Sequence, residues 1–237
     1  MANEPLLFPP GSTYNYSNTD SIVVGLMAEA ATGRPYERLL RSLVNSPLSL
    51  PETSLPSGPR LPRPFAHGYD LDPSPEDVSE GTAPGSWTWA SGGIQSTALE
   101  LDRFMRGYVS GRLFGRALRR QQRDWVEGGS EPTGPGTNAA GLALFRYRVR
   151  CGTVYGHTGN WPGYTQFAAA SSDGRRSATV SANTRLTQHA GGAFRPLRRA
   201  FERAACAALT SPRARPQRRS AGPASAPSRA GRADAAP

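Results

Sequence analysis

The sequence predicts an α+β fold, with a helical, loop-rich front followed by an antiparallel sheet and a C-terminal helix. Three observations carry that prediction. Apolar residues recur at helical spacing up to about residue 126, and the period falls to two after residue 139. Ser172, Asp173 and Gly174 form a turn between two of the later alternating runs, as a β-hairpin requires. A last stretch, 188–209, returns to helical spacing through Phe194, Leu197, Phe201 and Leu209.

In chain order, a loop through Pro10 and Gly11 leads to Asp20 or Ser21, either of which can cap a helix. That helix has Ile22, Val23, Leu26, Met27 and Ala30 as its apolar face, and Gly33 stops it. A second helix starts near Pro35, sets Leu39, Leu40, Leu43 and Val44 on one side, and ends before Pro47. From 47 to 85 Pro, Ser and Gly dominate, and irregular stretches this long usually frame a site. Thr97 then caps a helix with Glu100 at the capping-box spacing, and Leu101, Phe104, Met105 and Tyr108 form its core face.

A basic amphipathic stretch, 113–126, reads as helix, and GGSEPTGPGTN (128–138) reads as a flexible connector. Beyond it Leu142, Leu144, Arg146, Arg148 and Arg150 alternate with Ala143, Phe145, Tyr147 and Val149, which predicts a strand. Further strands are expected at 153–158, 164–171 and 177–183. Residues 1–138 and 139–210 are then two parts of one domain. Residues 211–237 have too few large apolar side chains to offset the entropy of ordering, so they read as a disordered basic tail.

That tail holds six arginines against Asp234, half of the chain's formal charge of +10. The rest of the chain has no basic patch interleaved with aromatics, so nucleic-acid binding is not expected of the body. No apolar run approaches the ~20 residues of a membrane span. The residues after Met1 lack the basic start and apolar core of a signal peptide. Cys151, Cys206, His67, His157 and His189 are too scattered for a zinc site, and neither a metal nor a cofactor is expected. On residue type alone the two cysteines read equally as a disulfide or as two buried thiols. A monomer is the expected state.

Two clusters suggest chemistry. In Tyr16-Ser17-Asn18 a phenol and a carboxamide two residues apart can face one cleft. The phenol relays a proton if a cation lowers its pKa, and the carboxamide can hold a substrate amide from both ends. In VYGHTGNWPGY, His157-Thr158-Gly159 sets a hydroxyl beside an imidazole, with a glycine that admits a ligand to the backbone. Each cluster taken singly is read first as loop or hairpin residues that satisfy backbone groups.

Together, in this order, they resemble a family. PGSTYNYSNTDSIVVGLMAEAATGRPYERLL followed by SPLSLPET resembles the second active-site motif, with its following helices, of the serine DD-peptidase and class C β-lactamase superfamily. WASGGIQSTALELDRFM resembles that superfamily's Gly-Gly-x-x-Ser-Thr-x-x-Asp-Leu helix start, with Glu100 at the Asp place. VYGHTGNWPGY resembles its third motif in the His-Thr-Gly form. The likeness runs from Phe8 to Leu209 and is nearest to the secreted actinobacterial D-alanyl-D-alanine carboxypeptidases, which carry cysteines at the places of Cys151 and Cys206. It therefore implies a Cys151 to Cys206 disulfide and a secreted or cell-envelope parent protein.

The resemblance also implies roles. A serine attacks the amide of a peptidoglycan stem peptide, or a β-lactam carbonyl, and water resolves the acyl-enzyme. Tyr16 passes the proton to the leaving nitrogen, and Asn18 holds the substrate amide. Thr158, with His157 beside it, binds the substrate carboxylate. Gly159 and Asn160 continue the strand, whose amide at Asn160 serves the oxyanion. Trp87 lines the cleft. Asn160, Phe145 and Pro162 depart from the carboxypeptidase pattern, where threonine, arginine and a polar residue stand.

The family's nucleophile lies in Ser-x-x-Lys. All 28 basic residues here are arginine, so the motif does not occur in the chain. The expectation is a C-terminal portion of such an enzyme, without its first strands and nucleophile helix and inactive alone. An active β-lactamase or esterase parent and a non-catalytic peptidoglycan-binding module are the other readings.

Overall fold

The computed structural model describes residues 5–56, 61–70, 76–79, 88–187, 189 and 191–211. Trp87 and the tail from residue 212 onward lie outside the described residues.

Helix α1 (Asn18–Thr32) begins at Ser17, upstream of the predicted cap. Ser17 is extended, and its hydroxyl accepts from the Asp20 amide at 3.3 Å, which satisfies an amide of the first turn. Gly33, at φ 63°, ends the helix as predicted. The predicted core face is corrected. Val23, Val24, Leu26 and Met27 are 47%, 63%, 54% and 64% exposed, and Gly25 is the buried position. Gly25 lies so close to Trp89 and Ala90 that a Cβ there would sit 2.9 Å from both.

Helix α2 (Tyr36–Leu40) continues through a π-helical turn (Arg41–Asn45) into α3 (Ser46–Leu48). The wider turn rotates the apolar stripe. Leu39, Leu40 and Leu48 are buried, Leu43 faces out, and Asn45 turns inward to donate to the Thr53 carbonyl at 2.7 Å. Pro47 does not end the helical run, which reaches it directly from the wider π-helical turn and goes on to Leu48. Within the irregular stretch, β1 (Tyr69–Asp70) pairs antiparallel with β2 (Glu76–Asp77). A 3-10 turn (Trp89–Ser91) follows, then α4 (Ala98–Ser110), with the Thr97 hydroxyl accepting from the Glu100 amide at 3.3 Å. Glu100 does not reach back to close a capping box. Its buried carboxylate accepts from the Glu52 amide at 3.1 Å and the Thr53 hydroxyl at 2.6 Å, tying the loop after α3 to α4.

The predicted 113–126 helix shortens to α5 (Arg116–Gln122), and its end enters the sheet as β3 (Val126–Glu127). Then come β4 (Thr137–Gly141), β5 (Leu144–Val149), β6 (Gly152–Trp161), β7 (Tyr164–Ala170) and β8 (Ser177–Ala182). They form one antiparallel meander in sequence order. β4 was not predicted, because its small residues give no alternation; the expected run at 142–150 is a hairpin arm that turns at Leu142 and Ala143. The Asp173 carboxylate shapes the β7–β8 turn, accepting from the Ser171 hydroxyl at 2.6 Å and the Arg175 amide at 3.0 Å.

The sheet lies between two helices. α6 (Phe194–Thr210) buries Phe194, Leu197, Phe201 and Ala205 against Phe145, Tyr147, Val154 and Phe167. On the other face α4 sets Met105 and Val109 against Leu144, Ala168 and Ala170, the alternate residues of the same strands. Cys151 and Cys206 are bonded, which fastens the β5–β6 turn to α6.

Candidate active site

The ladder between β5 and β6 ends at the pair Phe145 and Gly156, whereas β6 stays paired with β7 out to Trp161 and Tyr164. Alternate backbone amides of 157–161 therefore face a side that β5 leaves open. His157, Thr158, Gly159 and Asn160 all lie on this overhang. A side chain added at Gly159 would meet the Gln166 carboxamide at 3.5 Å and nothing nearer, so backbone is accessible there.

Tyr16, just before the α1 cap, approaches the same place. Its ring centroid is 6.4 Å from Phe145 and 6.1 Å from His157, and the Phe145 and His157 rings are 4.9 Å apart. Tyr14 meets Phe145 edge-on at 6.1 Å. Asn18 is exposed in the first turn of α1. The structure thus gathers Tyr16 and His157 around Phe145, whereas Arg146 points to the opposite face and stacks on Trp125 at 5.2 Å.

Electrostatics fix which forms these groups take. Burial pushes the Tyr16 hydroxyl above the ordinary tyrosine value, and the Glu131 carboxylate adds to the shift. Tyr14 is pushed up to about 12, chiefly by burial. Burial pushes the His157 imidazole below its ordinary value. Its Nδ1 lies against the Thr158 carbonyl oxygen, which only accepts, so Nδ1 carries the proton and Nε2 keeps its lone pair. At neutral pH the cluster holds a neutral imidazole and a protonated phenol. Within it Tyr16 is a hydrogen-bond donor rather than a base.

Thr158 is buried, and its hydroxyl donates to the Pro132 carbonyl. Pro132 belongs to the stretch predicted as a flexible connector, and here the structure differs. The Tyr147 hydroxyl donates to Ser130 at 2.8 Å, and the Asn138 carboxamide accepts from the Gly134 amide at 3.1 Å. The Arg198 guanidinium, from α6, donates to the carbonyls of Gly134 at 2.9 Å and Gly136 at 3.1 Å. Bonds from four elements, β4, β5, β6 and α6, fix a loop beside the β6 overhang. Ser130, Pro132 and Arg198 escaped sequence reasoning. The signal present was Asn138 at the end of a Gly-Pro run, a residue suited to bonding nearby backbone.

The Beta-lactamase family model matches residues 1–228. The chain belongs to the Beta-lactamase family. Esterase EstB of Burkholderia gladioli is 27% identical over 198 residues, which are 67% of this chain and 48% of the esterase. Among solved structures, a D-stereospecific amidohydrolase from Streptomyces sp. is 29% identical with a TM-score of 0.68, covering 76% of this chain and 53% of that one. The D-amino acid amidase from Ochrobactrum anthropi SV3 is 25% identical with a TM-score of 0.66, covering 82% of this chain and 59% of the amidase. This Beta-lactamase family chain thus spans about half the length of the relatives it matches. Its fold is the β-lactamase-like fold of that family. No helix among its described residues is long and apolar enough to cross a membrane.

Proposed function

We propose that the chain forms one wall of a serine acyl-transfer site for amides of D-configured residues, of the D-alanyl-D-alanine carboxypeptidase kind. The substrate is the end of a peptidoglycan stem peptide or the ring of a β-lactam. The observation that carries this reading is the meeting of Tyr16 and His157 at the open end of β6. Two relatives named for D-specific amide hydrolysis support the substrate class.

In the reaction a serine oxygen bonds to the substrate carbonyl, the carbon–nitrogen bond breaks, and the leaving nitrogen takes a proton through the Tyr16 hydroxyl. Water then cleaves the ester. The Asn18 carboxamide holds the substrate amide, and the Asn160 amide faces the developing oxyanion. The Thr158 hydroxyl exchanges the Pro132 carbonyl for the substrate carboxylate, with His157 as a neutral polar neighbour. A tyrosine whose pKa is raised needs a nearby cation to work as a base, and with no lysine in the chain there is no Ser-x-x-Lys to supply one. The wall alone binds substrate without turning it over. The disulfide fits a parent protein that works outside the cell.

Titration of the chain with an N-acylated D-Ala-D-Ala peptide, with released D-alanine assayed in parallel, tests this directly. Saturable binding that Asn18→Ala weakens, with no release, is expected. Release of D-alanine by the chain alone contradicts the inactivity, and absence of saturable binding contradicts the wall. Tighter binding of an ester analogue than of the peptide would favour an esterase parent, the reading to which the Burkholderia relative points.

A further inference from the structure

Along one side of α6, Arg195, Arg198, Arg199 and Glu202 adjoin at helical spacing. With Phe194 and Gly136 they line an open cavity of about 470 Å³ between α6 and the loop before β4.

Carboxylates do not balance the charge of this cavity. Glu202, the one carboxylate of the lining, is engaged by Arg150: it accepts from the Arg150 amide at 3.3 Å and lies 3.9 Å from the Arg150 Nε. Arg195 and Arg199 are exposed and make no hydrogen bond or ion pair among the described residues. They stand four residues apart, a spacing at which like charges destabilise a helix. Arg198 lies between them and is fastened. Its Nε and Nη2 donate to the Gly134 carbonyl at 3.0 Å and 2.9 Å, and Nη2 also donates to the Gly136 carbonyl at 3.1 Å. Nη1 takes no part in these bonds. The fold thus gathers unpaired positive charge over a concave surface, at a cost to α6 that a bound anion would remove.

We propose that this cavity binds a phosphate group, either as inorganic phosphate or as the phosphate of a small monoester. Such a group carries about −1.5 to −2 charges at neutral pH, which matches the unpaired guanidiniums of Arg195 and Arg199. A single carboxylate would balance only one of them. Guanidinium forks also fit phosphate oxygens in pairs. Arg198, already held by the loop, offers its Nη1 with little further loss of side-chain freedom. The cavity falls in the size range of small-ligand sites, so it has room for the organic part of a monoester. This inference stands independently of the acyl-transfer reading, since no residue of the lining belongs to the Tyr16 wall.

Isothermal titration of the full chain with inorganic phosphate and with glycerol 3-phosphate, at constant ionic strength and with acetate as the control anion, tests the site. Saturable binding of at least one phosphate is expected, at least about tenfold tighter than acetate. Amide exchange at 134–138 and 195–199 should slow when the phosphate binds. Arg195→Gln with Arg199→Gln should weaken binding at least about tenfold without lowering the melting temperature of the unliganded chain. Arg229→Gln with Arg232→Gln, in the basic tail, should leave binding unchanged. Tighter binding of the ester supports a monoester as the occupant, and tighter binding of inorganic phosphate supports the free ion. Absence of saturable binding by both phosphates overturns the proposal, as does binding that acetate matches. Binding that survives the α6 substitutions and is lost with the tail substitutions also overturns it, since the tail is then the site.

Discussion

Two helices in this chain carry large apolar side chains to opposite fates. α6 alternates arginines with Phe194, Leu197 and Phe201, and those apolar residues are buried against the sheet. α1 is the more apolar of the two by inspection, yet Gly25 is its buried residue and its large side chains face out. Periodicity states which side of a helix is apolar. It does not state whether anything in the same chain covers that side. The back of the molecule has a finished core, and the front shows a surface made for burial with nothing over it among the described residues.

The largest expected effect breaks the contrast at its strong end. Phe201→Ala removes a fully buried ring that stacks on Phe167 and should cost about 3–5 kcal/mol in urea denaturation. Met27→Ala on α1 should change stability by less than about 0.5 kcal/mol in the same measurement. A Met27→Ala cost near that of Phe201→Ala would mean that α1 is covered after all. Next in size is the disulfide. Replacing both Cys151 and Cys206 by alanine reopens a loop with a sequence separation of 55 and should cost about 2–4 kcal/mol. The loss should loosen α6, read as faster amide exchange there, and leave α1 exchange unchanged.

A smaller effect sharpens the front. Ser17→Ala removes the oxygen that caps α1 and should cost about 1 kcal/mol, with fraying confined to the first turn. Smallest is a pH effect at the wall. His157 has a depressed pKa in the folded state, so the unfolded chain takes up its proton first as pH falls. Stability is then full above the unperturbed histidine value of about 6.5 and declines as pH drops from there toward the depressed value. His157→Gln should flatten that part of a denaturation-midpoint profile. A second decline belongs to Asp77, held at about 2 chiefly by the Ser79 hydroxyl, and begins only below the ordinary carboxylate value of 3.8.

Much of the back was legible in the sequence, because strand alternation and the α6 stripe are both satisfied within the chain. Tyr16 and His157 were legible as partners only through the order of motifs, since no local pattern relates residues so far apart. β4 was not legible, since Ala139, Ala140 and Gly141 carry no alternation, and its existence follows from pairing with β5. The loop holding Pro132 read as flexible from its Gly and Pro content. It is held by Arg198, a residue some 60 positions away whose charge gave no hint of carbonyl partners. The three-residue shift of the first cap, from Asp20 to Ser17, came from a competition between two good caps, which the extended backbone at Ser17 decides.

The central claim is that the chain holds the wall of a serine acyl-transfer site without its nucleophile. Intact-mass analysis of the purified chain after incubation with a penicillin, followed by peptide mapping, tests it most directly. The account predicts an unchanged mass. A stable adduct on any serine of the chain would contradict it.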